Sequence, residues 1–259
     1  KIHLKVETGL NRQGLTKNQV VKLAKFIRNN SSKIVLEGVS THFANIEDTL
    51  DSGFAEEQLG RFSSTLKTLK MYGINPSVVH CSASAAALLY PKTHFNMLRI
   101  GISLYGLWPS RETRVALSLI EKFPNVTLQP VLSWRSLVAQ VKLIDMGESV
   151  GYGRTWFAQS RTKIAIIPVG YSDGYDRKLS NNSRVIIRGI FCPVIGRVAM
   201  NMIVVYVSAI KNIKAEDEVT LLGRSDEKEI TADELSARLG TINYEVVSRI
   251  NPLLPRVVV

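Results

Sequence analysis

The hydrophobic rhythm of this 259-residue chain changes once, near residue 128, and the change calls for two architectures in one polypeptide. Up to about Pro109, strand-like and helix-like runs alternate. IHLKV (2–6) alternates apolar and polar residues, as a half-buried strand does. Thr16 precedes a helical stripe of Val20, Val21, Leu23, Ala24, Phe26 and Ile27 that ends at Asn29-Asn30. KIVLEGVSTHF (33–43) reads as the next strand. Residues 55–72 place Leu59, Phe62, Leu66 and Leu69 on one helical face, with Gly73 suited to end it. SVVHC (77–81) is a third strand, SASAAALL (82–89) a short helix and NMLRI (96–100) a fourth strand. Strands separated by helices imply β-α-β units and a parallel sheet.

Beyond Leu128 the runs VLSWRSLVAQVKLI, KIAIIPVG, RVIIRG, VAMNMIVVYV and EVTLLG follow one another with only glycines and polar turns between them. That texture predicts an antiparallel barrel or sandwich. One late helix interrupts it, announced by a T-x-x-E capping box of Thr231 and Glu234 ahead of Leu235 and Leu239. The expected division is 1–109 for the α/β part, 110–127 for a boundary segment and 128–259 for the all-β part. There is no internal repeat.

Hydrophobic residues make up 45% and charged residues 21%, which supports real cores and disfavours disorder. No apolar run reaches the roughly 18 residues of a membrane span, and no signal segment opens the chain. The charge of +11 raises nucleic-acid binding as a class. The basic residues are scattered singly, with no interleaved aromatic platform, so a small phosphate-bearing ligand explains the charge as well, and no nucleic-acid or membrane partner is expected. Two cysteines, Cys81 and Cys192, make no disulfide framework and suggest a reducing cytoplasm. No metal-ligand spacing occurs. The chain opens at Lys1 directly in a strand-like alternation, and the expectation is a portion of a longer protein.

Parallel β-α architecture puts functional residues at the C-terminal ends of strands. His42, the His80–Ser84 stretch and Arg99 fall there. Singly they read as a strand cap, a core histidine and a surface cation; their shared edge makes them a candidate site. In RIGISLYG (99–106), Gly101 permits a tight turn with amides free to meet an anion, and Ser84 could add a hydroxyl. A plain strand-turn-strand fits the same letters. GYGRT (151–155) and GYSDGYDR (170–177) set tyrosines in glycine turns. For Tyr152 to act as a base, its pKa of about 10 must be lowered by cations such as Arg99, Arg154 or His42.

Taken in order, KVETGLNRQG (5–14), GVSTHFA, RIGISLYG, GYGRT, GYSDGY, GRVAMNM and TINYEV resemble the alanine racemase family over essentially the whole chain. The resemblance implies fold-type III: an incomplete (β/α)8 TIM-type barrel that binds pyridoxal 5′-phosphate (PLP), followed by an antiparallel β domain. It implies a bacterial, cytoplasmic homodimer with shared active sites that interconverts L- and D-alanine by a two-base mechanism, supplying D-alanine for peptidoglycan. Tyr152 matches the catalytic tyrosine, which moves the α-proton on one face. His42 matches the histidine beside the pyridine ring and Arg99 the arginine on its nitrogen. An arginine there keeps its proton and tempers the cofactor as an electron sink. Ser84, the Gly101 and Ile102 amides and Tyr244 match phosphate contacts. Arg12 and the Met200 amide match the holders of the substrate carboxylate, and Tyr171 is grouped with the substrate contacts. Lys5 matches a lysine that is carbamylated in many members. Glu47, Arg177 and Arg197, with Tyr171, match a narrow access corridor that excludes bulk.

Departures accompany the resemblance. The family's PLP-binding lysine sits in a K-A-N-A-Y-G-type motif in the first barrel strand, and no such motif occurs in these residues. The expectation is therefore a C-terminal portion that is inactive alone. Ala83, Asn201 and Leu253 stand where the family usually has Asn, Asp and Arg. Two further readings stay open: a racemase of serine or another small amino acid, and a non-catalytic PLP-binding or degenerate protein.

Overall fold

The computed structural model describes residues 1–120 and 126–259. Backbone packing divides the chain into one unit over 1–129 and another over 130–259.

The first unit is built on a parallel sheet of three strands in the order β1 (Ile2–Lys5), β2 (Leu36–Ser40) and β3 (Val78–His80). Helices α1 (Lys17–Asn29), α2 (Gly53–Met71), α3 (Ser84–Leu89) and α4 (Arg111–Ser118) complete it. This arrangement fits an incomplete barrel. Thr16 caps α1 with a full capping box. Its hydroxyl accepts from the Gln19 amide, and the Gln19 side chain accepts from the Thr16 amide at 2.9 Å. The core gathers Leu4, Val6, Val20, Ala24, Ile27, Val39, Phe62 and Leu69. Helix α2 buries Ala55, Gln58, Phe62, Thr65 and Leu69, so its inner face includes two polar residues beside the expected apolar ones. Leu59 and Leu66 pack at the margin.

One expected strand is absent. Residues 97–100 of NMLRI join no ladder. The Asn96 side chain takes the position a fourth strand would need: its Oδ1 accepts from the Val79 amide at 2.7 Å, and its Nδ2 donates to the Ser77 carbonyl at 2.7 Å. The side-chain amide adds to isolated backbone bonds, Asn96 N–H to Val79 O at 3.4 Å and Arg99 N–H to Ser82 O at 3.1 Å, that do not build a ladder.

The second unit holds β4 (Trp134–Leu137), β5 (Gln140–Ile144), β6 (Ser149–Val150), β7 (Trp156–Phe157), β8 (Thr162–Ile167), β9 (Arg184–Ile187), β10 (Ile190–Ile195), β11 (Ile203–Tyr206), β12 (Glu218–Ser225) and β13 (Lys228–Ile230). The large sheet runs β13-β12-β9-β10-β11-β8-β5, with β4 also on β12, and every described pairing in it is antiparallel. The pair β6-β7 stands apart and carries the Tyr152 turn between its strands.

Two late helices follow, α5 (Ala232–Leu239) and α6 (Asn243–Arg249), where the sequence suggests one. TINYEV runs into α6. The Thr231 cap of α5 is half a capping box. Thr231 Oγ1 accepts from the Glu234 amide at 3.0 Å, but the Glu234 carboxylate is drawn to Arg184, at 2.9 and 3.0 Å, and to Arg238. A bidentate guanidinium outcompetes a backbone amide for a carboxylate. Among the described residues, no helix is long and apolar enough to cross a membrane, and no cluster suited to a metal occurs.

The β1–β2 pairing sets His3 opposite Gly38, and the imidazole lies on the glycine. A Cβ at Gly38 would come within 2.5 Å of the His3 ring. Gly38→Ala is expected to expel that ring and to lower stability by about 1–3 kcal/mol through overpacking. Urea denaturation of the variant beside the parent protein measures this.

Candidate active site

In the first unit, the end of β3 delivers His80 and the following segments deliver Ser84 and Arg99. Arg99 is half-buried. Its Nη1 donates to His80 Nδ1, while Nη2 faces the Thr41 carbonyl at 2.9 Å, His42 Nδ1 at 3.1 Å and the Cys81 carbonyl at 3.2 Å. It has no carboxylate partner among the described residues. Burial lowers its pKa, yet a guanidinium starts high enough to stay charged.

Both histidines around it are held neutral at pH 7. His80 is 6% exposed, and desolvation, then Arg99, then His3 push its pKa down to about 4. His42 is lowered by desolvation and by the charges of Arg99, Arg12 and Lys5. Neutrality decides the tautomers. His80 Nδ1 accepts from Arg99, so its Nε2–H donates to His3 Nδ1 at 2.9 Å. His3 Nε2 then faces Glu37 at 3.4 Å, and Glu37 pairs with Lys1 at 2.6 Å. Strand alternation places His3 on the same face as Lys5. That was the available signal for His3, and it is weak.

Two loops close the same end of this sheet. The loop from Val6 to Leu15 carries Arg12. It is tied at its base by Glu7 N–H to Leu15 O at 2.9 Å and Leu15 N–H to Lys5 O at 2.8 Å. The Glu7 carboxylate turns inward and accepts from the Gly9 amide at 2.5 Å. Desolvation works to raise the Glu7 pKa; the amides of Gly9, Asn11, Leu10 and Thr8 outweigh it and leave the pKa low. The second loop follows β2 and carries His42 and Glu47. Arg12, His42, Glu47 and Ala83 share the lining of a cavity of about 250 Å³ with Leu10 and Ala85.

Ser84 is buried. Its hydroxyl oxygen accepts from the amides of Gly101 at 3.0 Å and Ser103 at 3.3 Å. The Ser84 proton is therefore left to donate elsewhere. The Gly101 amide is engaged with Ser84 and is not simply free, as the sequence suggested. Ile102 opens a 3₁₀ turn, Ile102–Tyr105. Beside it the Ser103 hydroxyl is buried without a hydrogen-bond partner.

In the second unit, Tyr152 sits in the turn between β6 and β7 and is 72% exposed. Arg154 does not serve it: the guanidinium donates to Ser149 at 3.0 Å and lies over Phe157. Arg197 packs on the tyrosine turn instead. A Cβ on Gly153, at φ +71°, would meet its guanidinium at 3.0 Å. Asn181 bridges the same turn to the next, donating to Thr155 Oγ1 at 3.0 Å and accepting from the Gly196 amide at 2.6 Å. The Tyr171 and Met200 loops are stitched by Tyr171 N–H to Ala199 O at 3.1 Å and Ser172 N–H to Met200 O at 2.9 Å. Gly170 makes this possible, since a Cβ there would fall 2.3 Å from Ala199 O. Tyr171 and Arg177 line a cavity of about 410 Å³ with Gly174, Asp176 and Arg249. Tyr244 lies on α6. Sequence reasoning missed Gln58, Ser103, Asn181 and Arg249, because polar side chains of these types most often face water and no motif marks them.

These features fit PLP. A charged guanidinium without a carboxylate suits a ring nitrogen that accepts. The orphaned Ser103 hydroxyl and the Ser84 proton suit phosphate oxygens, since a buried hydroxyl without a partner is costly.

Comparison with known proteins follows the same division. Residues 1–109 match the model of the alanine racemase N-terminal domain, and residues 131–258 match that of the C-terminal domain. Alanine racemase of Leptospira interrogans is 41% identical over 259 residues, which is 100% of this chain and 66% of that protein. The Desulfovibrio desulfuricans alanine racemase is 38% identical over the same share. The chain thus spans just under two thirds of the length of these relatives. Among solved structures, the alanine racemase of the D-cycloserine-producing Streptomyces lavendulae superposes with a TM-score of 0.88 at 32% identity, covering 99% of this chain and 65% of that one. The Bacillus anthracis alanine racemase with bound L-Ala-P gives 0.85 at 32% identity, covering 96% and 62%. With both domain models matched in order and relatives spanning its whole length, the chain belongs to the alanine racemase family of PLP-dependent isomerases.

Proposed function

We propose that these residues form the larger part of a racemase that interconverts L- and D-alanine. The observation that carries this reading is Arg99: a half-buried guanidinium held between two neutral imidazoles, with no carboxylate among the described residues to neutralise it. PLP bound there supplies the electron sink that makes the α-proton of an amino acid removable.

The chain's own groups do the rest. Arg99 would donate to the ring nitrogen without surrendering a proton, which would limit electron withdrawal and disfavour side reactions. His42, in contact with Arg99, would lie beside the ring. Ser84, Ser103, the Ile102 amide and Tyr244 would hold the phosphate, and the Gly101 amide, spent on Ser84, would act through that hydroxyl. Arg12, with the Met200 amide, holds the substrate carboxylate and so fixes the α-carbon, and Tyr171 borders the substrate. Lys5, whose charge reaches His42, is the candidate for carbamylation. Tyr152 removes or returns the α-proton on one face. The other face requires a lysine, and the family's lysine motif is not among these 259 residues. Glu47, Tyr171, Arg177 and Arg197 narrow the approach and exclude bulk.

The exposure of Tyr152, Tyr171 and Met200, at 72%, 44% and 58%, supports a homodimer in which each subunit completes the other's site. Free, buried Cys81 and Cys192 are in keeping with a cytoplasmic enzyme, and D-alanine made there would serve peptidoglycan.

In the product of the complete reading frame, Tyr152→Phe should lower racemisation by about 10²–10⁴-fold and leave the cofactor absorbance in place. Normal racemisation in both directions would overturn the role of Tyr152. Rates on alanine and serine side by side decide the substrate.

His80 adds a pH dependence. Its folded pKa of about 4 lies below the ordinary 6.5. The unfolded chain therefore binds more protons between those values. Stability from this site is complete above about pH 6.5 and is lost as the pH falls toward 4. Denaturation midpoints across that window should drop in the parent and drop less in His80→Asn.

A further inference from the structure

Gln58 is the polar residue least explained by the proposed chemistry. It lies on the inner face of α2 and is 0% exposed. Its amide reaches both loops that line the Arg12–His42 cavity. Nε2 donates to Thr8 Oγ1 at 3.2 Å and to the His42 carbonyl at 3.2 Å, and Oε1 accepts from the Ala44 amide at 2.9 Å. The orientation is unique. Reversing the amide would set oxygen against the His42 carbonyl and nitrogen against the Ala44 N–H, two repulsive contacts.

The bonds continue with a fixed direction. Thr41 Oγ1 donates its single proton to the Val6 carbonyl at 3.0 Å. The 2.7 Å contact between Thr8 and Thr41 must then be donated by Thr8. Thr8 in turn accepts from Gln58. One chain of donors runs from α2 through the Arg12 loop to the end of β2 and back to Val6 beyond β1. Arg61 adds a second hold, donating to the Thr8 carbonyl at 3.0 Å.

We infer that Gln58 is a positioning residue for carboxylate recognition: its amide sets the separation of the loop carrying Arg12 from the loop carrying His42. The inference rests on the reading of Arg12 as the carboxylate-holding residue. Arg12 itself is exposed at the loop's far side, so its placement depends on how the base of the loop is held. An apolar side chain at position 58 would leave the His42 carbonyl and the Ala44 amide without these partners and would remove the tie between the His42 loop and Thr8 through α2.

The test uses the holoenzyme from the complete reading frame, with acetate as the carboxylate probe. Gln58→Met and Thr8→Val should each raise the acetate Kd, read by calorimetry, and the KM for alanine by about five- to tenfold, the factor that one net hydrogen bond is worth. The kcat and the cofactor absorbance should stay near the parent values. Thr8→Ser, which keeps the hydroxyl, should restore parental binding. Should Gln58→Met fail to fold, Thr8→Val and Thr8→Ser carry the test.

Folded variants with parental Kd and KM would overturn the inference. So would a loss of active fraction with KM and Kd unchanged, the signature of a merely structural glutamine. Arg12→Ala separates the two readings. If it leaves acetate binding unchanged, the assignment of Arg12 falls and the inference with it. If it weakens acetate while the Gln58 and Thr8 series does not, only the inference falls.

Discussion

A guanidinium withdrawn from water must be met by acceptors, and the first unit is organised around meeting Arg99. Two carbonyls and two imidazole nitrogens surround it. None carries a formal charge at neutral pH. A carboxylate would bind Arg99 more tightly, and it would also cancel the field that a neutral aromatic nitrogen needs to find. The countercharge is displaced instead. It stands at Glu37, two imidazoles away, itself shared with Lys1. Arg99 is thus kept in place by dipoles and left electrostatically unspent.

Around that centre, local physical chemistry does the positioning. Glu7 gathers amides inside its own loop, so the backbone turn that presents Arg12 is stabilised from within. Gln58 works from outside, with both amide hydrogens and its oxygen engaged. Ser84 is held by two amides in the opposite sense, accepting so that its proton remains to be given. In each case a polar side chain fixes backbone, and the groups proposed for chemistry are carried on that backbone.

Much of this was legible in the sequence, for reasons that can be named. The switch from helix-separated strands to consecutive strands appears as the parallel three-stranded sheet and the antiparallel sheet. Thr16 and Gly73 end their helices where their chemistry suggests. What failed was the local signal that a distant partner overrode. NMLRI looks like a strand, but Asn96 spends its amide on Val79 and Ser77. Glu234 looks like a capping partner, but Arg184 and Arg238 take it. Gln58 is the clearest case. Glutamine in a helix ordinarily faces water, and nothing in its neighbours announces two loops from 16 and 50 residues away converging on its amide. The ordered motifs led to His42, Ser84 and Arg99, of which His42 and Ser84 follow the ends of β2 and β3, while Arg99 is carried by a segment that joins no ladder. The residues that hold them lie on no motif.

The close approach at Gly170 has a consequence for how this scaffold can vary. With Gly170 against Ala199 and Met200, and Ser172 bonded twice to the Met200 carbonyl, the Tyr171 and Met200 segments behave as a single rigid plate. The Tyr152 turn is joined in the same way to the segment of Gly196 and Arg197 through Asn181. Sliding one loop past another in either plate would break these hydrogen bonds. Changes on these surfaces are therefore expected to come from side chains such as Tyr171 and Arg197 and not from the backbone between them. Such changes are discrete, since each substitution alters the surface by whole atoms while the stitched backbone beneath it stays in register.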